Sequence, residues 1–224
     1  MFPSIKLSDI PKRQRGIIRS PSGTRPILWK IEENGLRLII KDFSRNGFLF
    51  RNTVGRFLIW RESKAYGMLR GIQGVPSFYG TIGGLALVVE EIEGKDLESV
   101  RNGEELPEDF FKRLRALIDE IHKRGMAHCD LKRAPNIILG NDGAPCIVDW
   151  SASICKKELG FFPLSPIFNR FVRDDLNAIT KISLKYRPEI VSPKEKQQYF
   201  HRSRAEIVIR SLRDRARAML KKIA

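Results

Sequence analysis

Three cysteines in 224 residues, Cys129, Cys146 and Cys155, are few and odd in number, and no CxxC pair occurs. That excludes a disulfide-built scaffold or a paired-thiol centre, and it suits free thiols in a reducing cytosol. Histidine is equally scarce, and His122, His128 and Cys129 lack the spacing of a metal-ligand set. No apolar run approaches the roughly 18 residues of a membrane-spanning helix. The opening MFPSIKLSDIPKRQRG lacks the apolar stretch of a secretory signal. Internal repeats and low-complexity segments are missing. So is a GxxxxGK[ST] loop, which excludes a P-loop fold.

What is present describes an ordinary globular chain, with 42% hydrophobic and 30% charged residues. It is long enough for one large domain or two small lobes sharing a cleft. The net charge of +15 is unevenly placed. Residues 1–30 carry seven basic and one acidic side chain, and residues 193–224 carry ten and three, whereas the body between them is nearly neutral. Two basic ends on a neutral body suit contact with an anionic surface, membrane or nucleic acid, or simply solvated faces that keep the protein soluble.

Along the chain, GIIR predicts a first strand, and PILWKIEENGLRLIIKDF predicts a hairpin turning at Asn34-Gly35. TVGRFLIWRESKAYGMLR predicts a helix over about residues 53–70 with Thr53 near its cap. SFYGTI and GLALVVEEIEG predict a second hairpin whose apolar second strand is buried. The most strongly patterned helix is LPEDFFKRLRALIDEIHKRG, with Pro107 at its start, Gly125 past its end, and Phe110, Leu114, Leu117, Ile118 and Ile121 as its stripe. Strands come first and helices later. The reading is an α+β chain: a β-rich lobe over residues 1–93 with a basic N-terminal arm, and a helical lobe over residues 94–224.

The segment MAHCDLKRAPNIILGNDGAPCIVDW, residues 126–150, places His, Asp, Lys, Asn and a second Asp where a plain core hairpin needs none. The order is a helix ending at Gly125, a loop, then IIL and CIV as a hairpin around GNDG, ending at Asp149. This resembles the catalytic loop and metal-binding segment of the protein-kinase-like superfamily, His-x-Asp-Leu-Lys…Asn…Asp, and the helix before it is similar too. The resemblance implies a two-lobed kinase fold that uses ATP and Mg²⁺. Phosphoryl transfer asks for an oriented nucleophile and neutralised phosphate charge rather than covalent help. Asp130 would orient the attacking hydroxyl and Lys132 would reach the transferred phosphate. Asn136 and Asp149 would supply hard oxygen ligands to Mg²⁺. His128 reads as structural. Two departures stand out. Asp130 and Asn136 are six apart rather than five, with Ala134-Pro135 holding the extra residue, and Asp-Trp-Ser replaces Asp-Phe-Gly.

The N-terminal half supports the resemblance. Lys41 closes RLIIK, matching the family's strand lysine at the α/β-phosphates. Glu62 falls on the apolar stripe Leu58, Ala65, Leu69 of its helix, and a carboxylate facing a core needs a cation. Lys41 is the natural one; local pairing with Arg61 or Lys64 is the alternative. VVEEIEG is similar to the interlobe hinge. That match implies that the Glu90 carbonyl and Ile92 amide face adenine and that Asp96 reaches the ribose. SPSGTR, with Gly23 alone, is the weakest match to the phosphate-covering loop.

Past Asp149 no Ala-Pro-Glu appears, and the superfamily's structural aspartate falls at Asp174 or Asp175, leaving too little chain for a protein kinase's full helical lobe. This truncation resembles RIO-type kinases and the bacterial lipopolysaccharide-core sugar kinases, small cytoplasmic enzymes. The implied acceptor is a sugar hydroxyl of the lipopolysaccharide core or a protein serine or threonine. The basic ends could meet an inner-leaflet surface or RNA. A kinase scaffold that only binds nucleic acid or membrane is a third reading. The C-terminal HRSRAEIVIRSLRDRARAMLKKIA predicts an amphipathic basic helix.

Overall fold

Residues 5–20, 23–100, 106–159 and 165–200 are described by the structure, a computed structural model. Antiparallel strands β1 (Gln14–Arg19), β2 (Ile27–Glu33), β3 (Leu36–Asp42), β4 (Phe78–Ile82) and β5 (Ala86–Glu90) form a sheet in the order β1-β2-β3-β5-β4. The β2–β3 turn is the predicted one. Asn34 and Gly35 have φ of 52° and 76°, the left-handed pair that a two-residue hairpin loop requires. Strand alternation sends Trp29, Ile31, Leu38, Ile40 and Val88 into one core cluster, where Ile5 and Ile10 join them. The basic N-terminal arm is thus more than an appendage. From Ile5 through the short helix α1 (Ile10–Arg13), its apolar residues cover the sheet while Lys12 and Arg13 stay outside.

The predicted helix at 53–70 begins earlier than expected. Helix α2 (Phe48–Phe50), a π-helical turn (Arg51–Gly55) and α3 (Arg56–Met68) follow one another without a break. Thr53 is not a cap, because its hydroxyl donates to the Leu49 carbonyl at 2.7 Å, the back-bond of a hydroxyl inside a helix. Ile59, Glu62, Ala65 and Tyr66 form the buried face of α3.

After β5 come β6 (Gly94–Asp96), helix α4 (Phe110–Lys123), β7 (Met126–Ala127), β8 (Ile137–Gly140), β9 (Pro145–Ile147), β10 (Ile154–Cys155), α5 (Ser165–Tyr186) and α6 (Pro193–Phe200). β6, β8 and β9 make a small sheet, and β7 pairs with β10. Helix α4 starts three residues after Pro107 because the Phe110 amide first closes a turn on the Pro107 carbonyl. Its predicted stripe is buried throughout, together with Phe111. Burial of those six side chains contributes on the order of 10 kcal/mol before conformational entropy is counted.

Gly74 joins the five-stranded sheet's side of the molecule to the β8–β9 hairpin. Its carbonyl accepts from the Ile147 amide at 2.8 Å, its φ is +89°, and a Cβ there would lie 2.6 Å from Leu117 and 2.8 Å from the Pro145 carbonyl. The chain divides into two compact units, Met1–Ile179 and Thr180–Ala224. The basic helix predicted over residues 201–224 lies outside the described residues.

Candidate active site

Strand β3 pairs with β2 and β5 along its length, which places Lys41 opposite Leu28 and Leu87, one residue out of phase with the core positions Leu38 and Ile40. On the other side, Glu62 is buried on α3. The Lys41 ammonium donates to both Glu62 oxygens at 2.8 Å and to Asp149 Oδ1 at 2.8 Å. Burial alone would lower the lysine, but the two carboxylates outweigh it and keep Lys41 above its usual range, fully charged. Burial likewise works against the Asp149 carboxylate. Lys41 and the Ser151 hydroxyl, which donates to Oδ1 at 2.8 Å, reverse it and hold Asp149 well below the ordinary carboxylate range. Arg61, the alternative partner for Glu62, instead donates to the Ser153 carbonyl through Nε and Nη2.

Asp149 sits at φ 65° and ψ 70°, and Cys129 at φ 68°; both are left-handed conformations that side-chain-bearing residues adopt at a cost of about 1–3 kcal/mol each. The surrounding bonds hold them. Asp175, buried on α5, accepts from the His128 amide at 2.7 Å, the Cys129 amide at 2.9 Å and His122 Nε2 at 3.1 Å. Asp174 pairs with Arg170 through an i,i+4 bond, so Asp175 is the aspartate that braces the loop. His128 is structural as read. Its Nε2 contacts the Val148 carbonyl at 3.0 Å and its Nδ1 receives the Asp130 amide at 3.3 Å. Only a neutral ring protonated at Nε2 satisfies both. Its ring packs against that of buried Trp150 in a tilted, edge-type contact with 4.6 Å between centroids.

The six-residue spacing is absorbed by a 3₁₀ turn over Ala134–Asn136. Asn136 Nδ2 still donates to the Asp130 carbonyl at 3.0 Å, which leaves its Oδ1 as the atom that could face a metal ion. The Val148 amide donates to the Asn136 carbonyl at 3.0 Å, bringing Asn136 beside the strand end that carries Asp149. One amide oxygen and one carboxylate fit Mg²⁺, which keeps waters and phosphate oxygens as its other ligands. No cluster of three His, Cys, Asp or Glu side chains forms a protein-only metal cage among the described residues. Asp130 faces Arg133 at 3.5 Å and is partly exposed, and Lys132 stands exposed in the same loop.

The hinge residues are placed less simply. Glu90 ends β5, and its amide and carboxylate both bond Ser77. With Ile92 it lines a cavity of about 450 Å³ bounded by Gly74, Phe78 and Cys146. The Asp96 carboxylate is engaged by the Ser99 amide and hydroxyl at 2.9 and 2.8 Å, a turn-closing role that competes with any ribose contact.

Two residues escaped the sequence reading. Ser151, read only as a lost glycine, steadies Asp149. Arg19, at the end of β1, carries a buried Nε with no partner among the described residues. Burial lowers it, Asp149 opposes that, and Arg25 and Arg133 lower it further. Arginines at both ends of the SPSGT loop were the available signal. Asn46 Nδ2 donates to the Gly23 and Arg25 carbonyls and so ties the chain down just before β2. Burial pushes the Cys129 and Cys146 thiols up to about 12, which leaves them protonated and unreactive at neutral pH.

No family model matches the sequence, and no curated protein is similar to it in sequence. Solved structures do match. The Rio2 kinase from Chaetomium thermophilum superposes with a TM-score of 0.58 at 16% identity, over 86% of this chain and 65% of that one. Its ADP/Mg²⁺-phosphoaspartate complex gives a TM-score of 0.58 at 16% identity, over 89% of this chain and 66% of that one. The chain therefore spans about two thirds of the length of these neighbours. At that identity the match concerns architecture, and the architecture is plain: this chain has the α+β fold of the protein-kinase-like superfamily.

Proposed function

We propose that the protein is an ATP-dependent phosphotransferase that moves the γ-phosphate to a hydroxyl. The observation that carries this reading is the Lys41–Glu62–Asp149 set, with one ammonium 2.8 Å from each of two carboxylates drawn from a strand, a helix and a loop distant in sequence. A scaffold for binding alone gains nothing from burying three charges together. In this reading Lys41 leaves Asp149 in part to hold the α/β-phosphates, with Glu62 fixing its position. Mg²⁺, held by Asn136 and Asp149, would neutralise charge on the phosphates. Asp130 orients the acceptor hydroxyl, Lys132 meets the transferred phosphate, and Arg19 at the end of β1 and Arg25 before β2 add positive charge. The Glu90 carbonyl and Ile92 amide remain the proposed adenine contacts.

A protein serine or threonine is the acceptor that the Rio2 likeness favours. A lipopolysaccharide-core sugar is the second reading, favoured by the excess of basic residues over 1–30 and 193–224, which suits an anionic acceptor. Either places the enzyme in the cytoplasm, where ATP is available. Labelled ATP offered to protein and lipid extracts of the source cell separates the two acceptors. Asp130→Ala should abolish transfer while retaining nucleotide binding, and Asp149→Ala should lose Mg²⁺-dependent binding as well. Full turnover by Asp130→Ala would refute the assignment.

A further inference from the structure

The helical path from α2 to α3 has two faces of opposite character. Its inner face carries Glu62 and the core. Its outer face exposes apolar side chains that a soluble domain normally buries: Phe48 at 73%, Leu49 at 76%, Phe57 at 51%, Trp60 at 55% and Val54 at 44%. Leu49, Phe57 and Trp60 recur at roughly helical spacing along one side, and the Phe57 and Trp60 rings touch, 5.9 Å between centroids. Large apolar side chains exposed together along one helical path mark a contact surface.

Its charge surroundings narrow the partner. Between residues 43 and 67 the basic side chains are Arg45, Arg51, Arg56, Arg61 and Lys64, and the one acidic residue, Glu62, is buried against Lys41. Arg51, Arg56 and Arg61 bond backbone carbonyls, so their charge is not cancelled; Lys64 reaches Glu158. Arg51 lies over the Phe48 ring at 5.4 Å and Lys64 over the Trp60 ring at 5.5 Å, cations flanking the apolar tips. A second copy of the chain would bring the same cations, so self-association is disfavoured. Nucleic acid would satisfy the cations and leave the aliphatic tips without a partner. An anionic bilayer satisfies both, since aromatic and aliphatic side chains enter the headgroup boundary while Lys and Arg meet the lipid charge.

We propose that the outer face of α2 and α3 is a peripheral docking surface for anionic phospholipid bilayers. Docking there leaves the inner face, with Glu62, directed at the candidate active site. The inference is independent of the phosphotransfer reading, because its test reads binding rather than turnover.

Trp60 is the natural probe, since Trp29 and Trp150 are buried. The full chain is mixed with vesicles of phosphatidylcholine alone, or with phosphatidylglycerol as the minor component. Trp emission should shift to the blue, and the protein should sediment with the anionic vesicles only, less so at high salt. Phe57→Ser combined with Trp60→Ser should weaken sedimentation by about tenfold or more with thermal stability unchanged. Arg210→Gln/Arg213→Gln/Arg217→Gln should keep the Trp shift. The proposal is overturned if the vesicles are not bound. It is equally overturned if they are bound with unchanged Trp60 emission and no loss in the Phe57/Trp60 variant, which would assign the contact to the basic C-terminal segment.

Discussion

Lys41 is shared between two carboxylates, which makes each of them partly responsible for where the ammonium rests. Lys41→Met and Glu62→Gln should each lower kcat/KM by about 10²-fold or more. The double variant should be little worse than either, because the pair acts as a unit; a fully multiplicative loss would show that the two act separately. The neighbouring His128 carries a pH dependence. Burial lowers its pKa, with Asp175 partly offsetting, so the folded value lies below the unfolded one. The unfolded chain then takes up a proton first as pH falls. Stability from this group is complete above about pH 6.5 and declines below it. Melting curves between pH 7 and 5 should drop more steeply for the native protein than for His128→Asn.

At the scale of elements, the loop between β7 and the 3₁₀ turn is shaped from outside by α5. Asp175 answers two backbone amides of that loop, and removing it strands both in a buried site. Asp175→Ala should destabilise by about 3 kcal/mol, whereas Asp174→Ala, which loses a surface pair, should stay within about 0.5 kcal/mol. Denaturant unfolding of the two variants gives the comparison directly. The sequence narrowed the structural aspartate to these adjacent residues and could go no further. Successive helical positions differ by about 100° in direction, and only packing decides which faces inward.

For the whole molecule, the candidate nucleotide contacts come from both sides of the expected cleft, Lys41 from the large sheet and Asn136 and Asp149 from the loop and hairpin below α4. A ligand gripping both should stabilise them together. Mg²⁺ and ATP at about a hundred times Kd add about 2.7 kcal/mol, or some 5–10 °C in melting temperature. Asp149→Ala should erase the shift and Asp130→Ala should keep it.

Local pattern alone settled a good deal. The Asn34-Gly35 turn, the α4 stripe and the stop at Gly125 each rest on nearby residues whose steric and hydrophobic preferences agree, and the His-x-Asp-Leu-Lys loop was legible through its resemblance to the protein-kinase-like superfamily. The Lys41–Glu62 pair was legible because a carboxylate in an apolar stripe demands a cation. What tertiary structure alone decided depends on neighbours remote in sequence. It made the basic N-terminal arm a cover for the sheet, extended the α3 path back to Phe48, turned Asp96 to Ser99, set Ser151 on Asp149 and half-buried Arg19 above it. In each case the residue's type allows several roles. The choice among them is made by desolvation and by which hydrogen-bond partner the fold brings within reach.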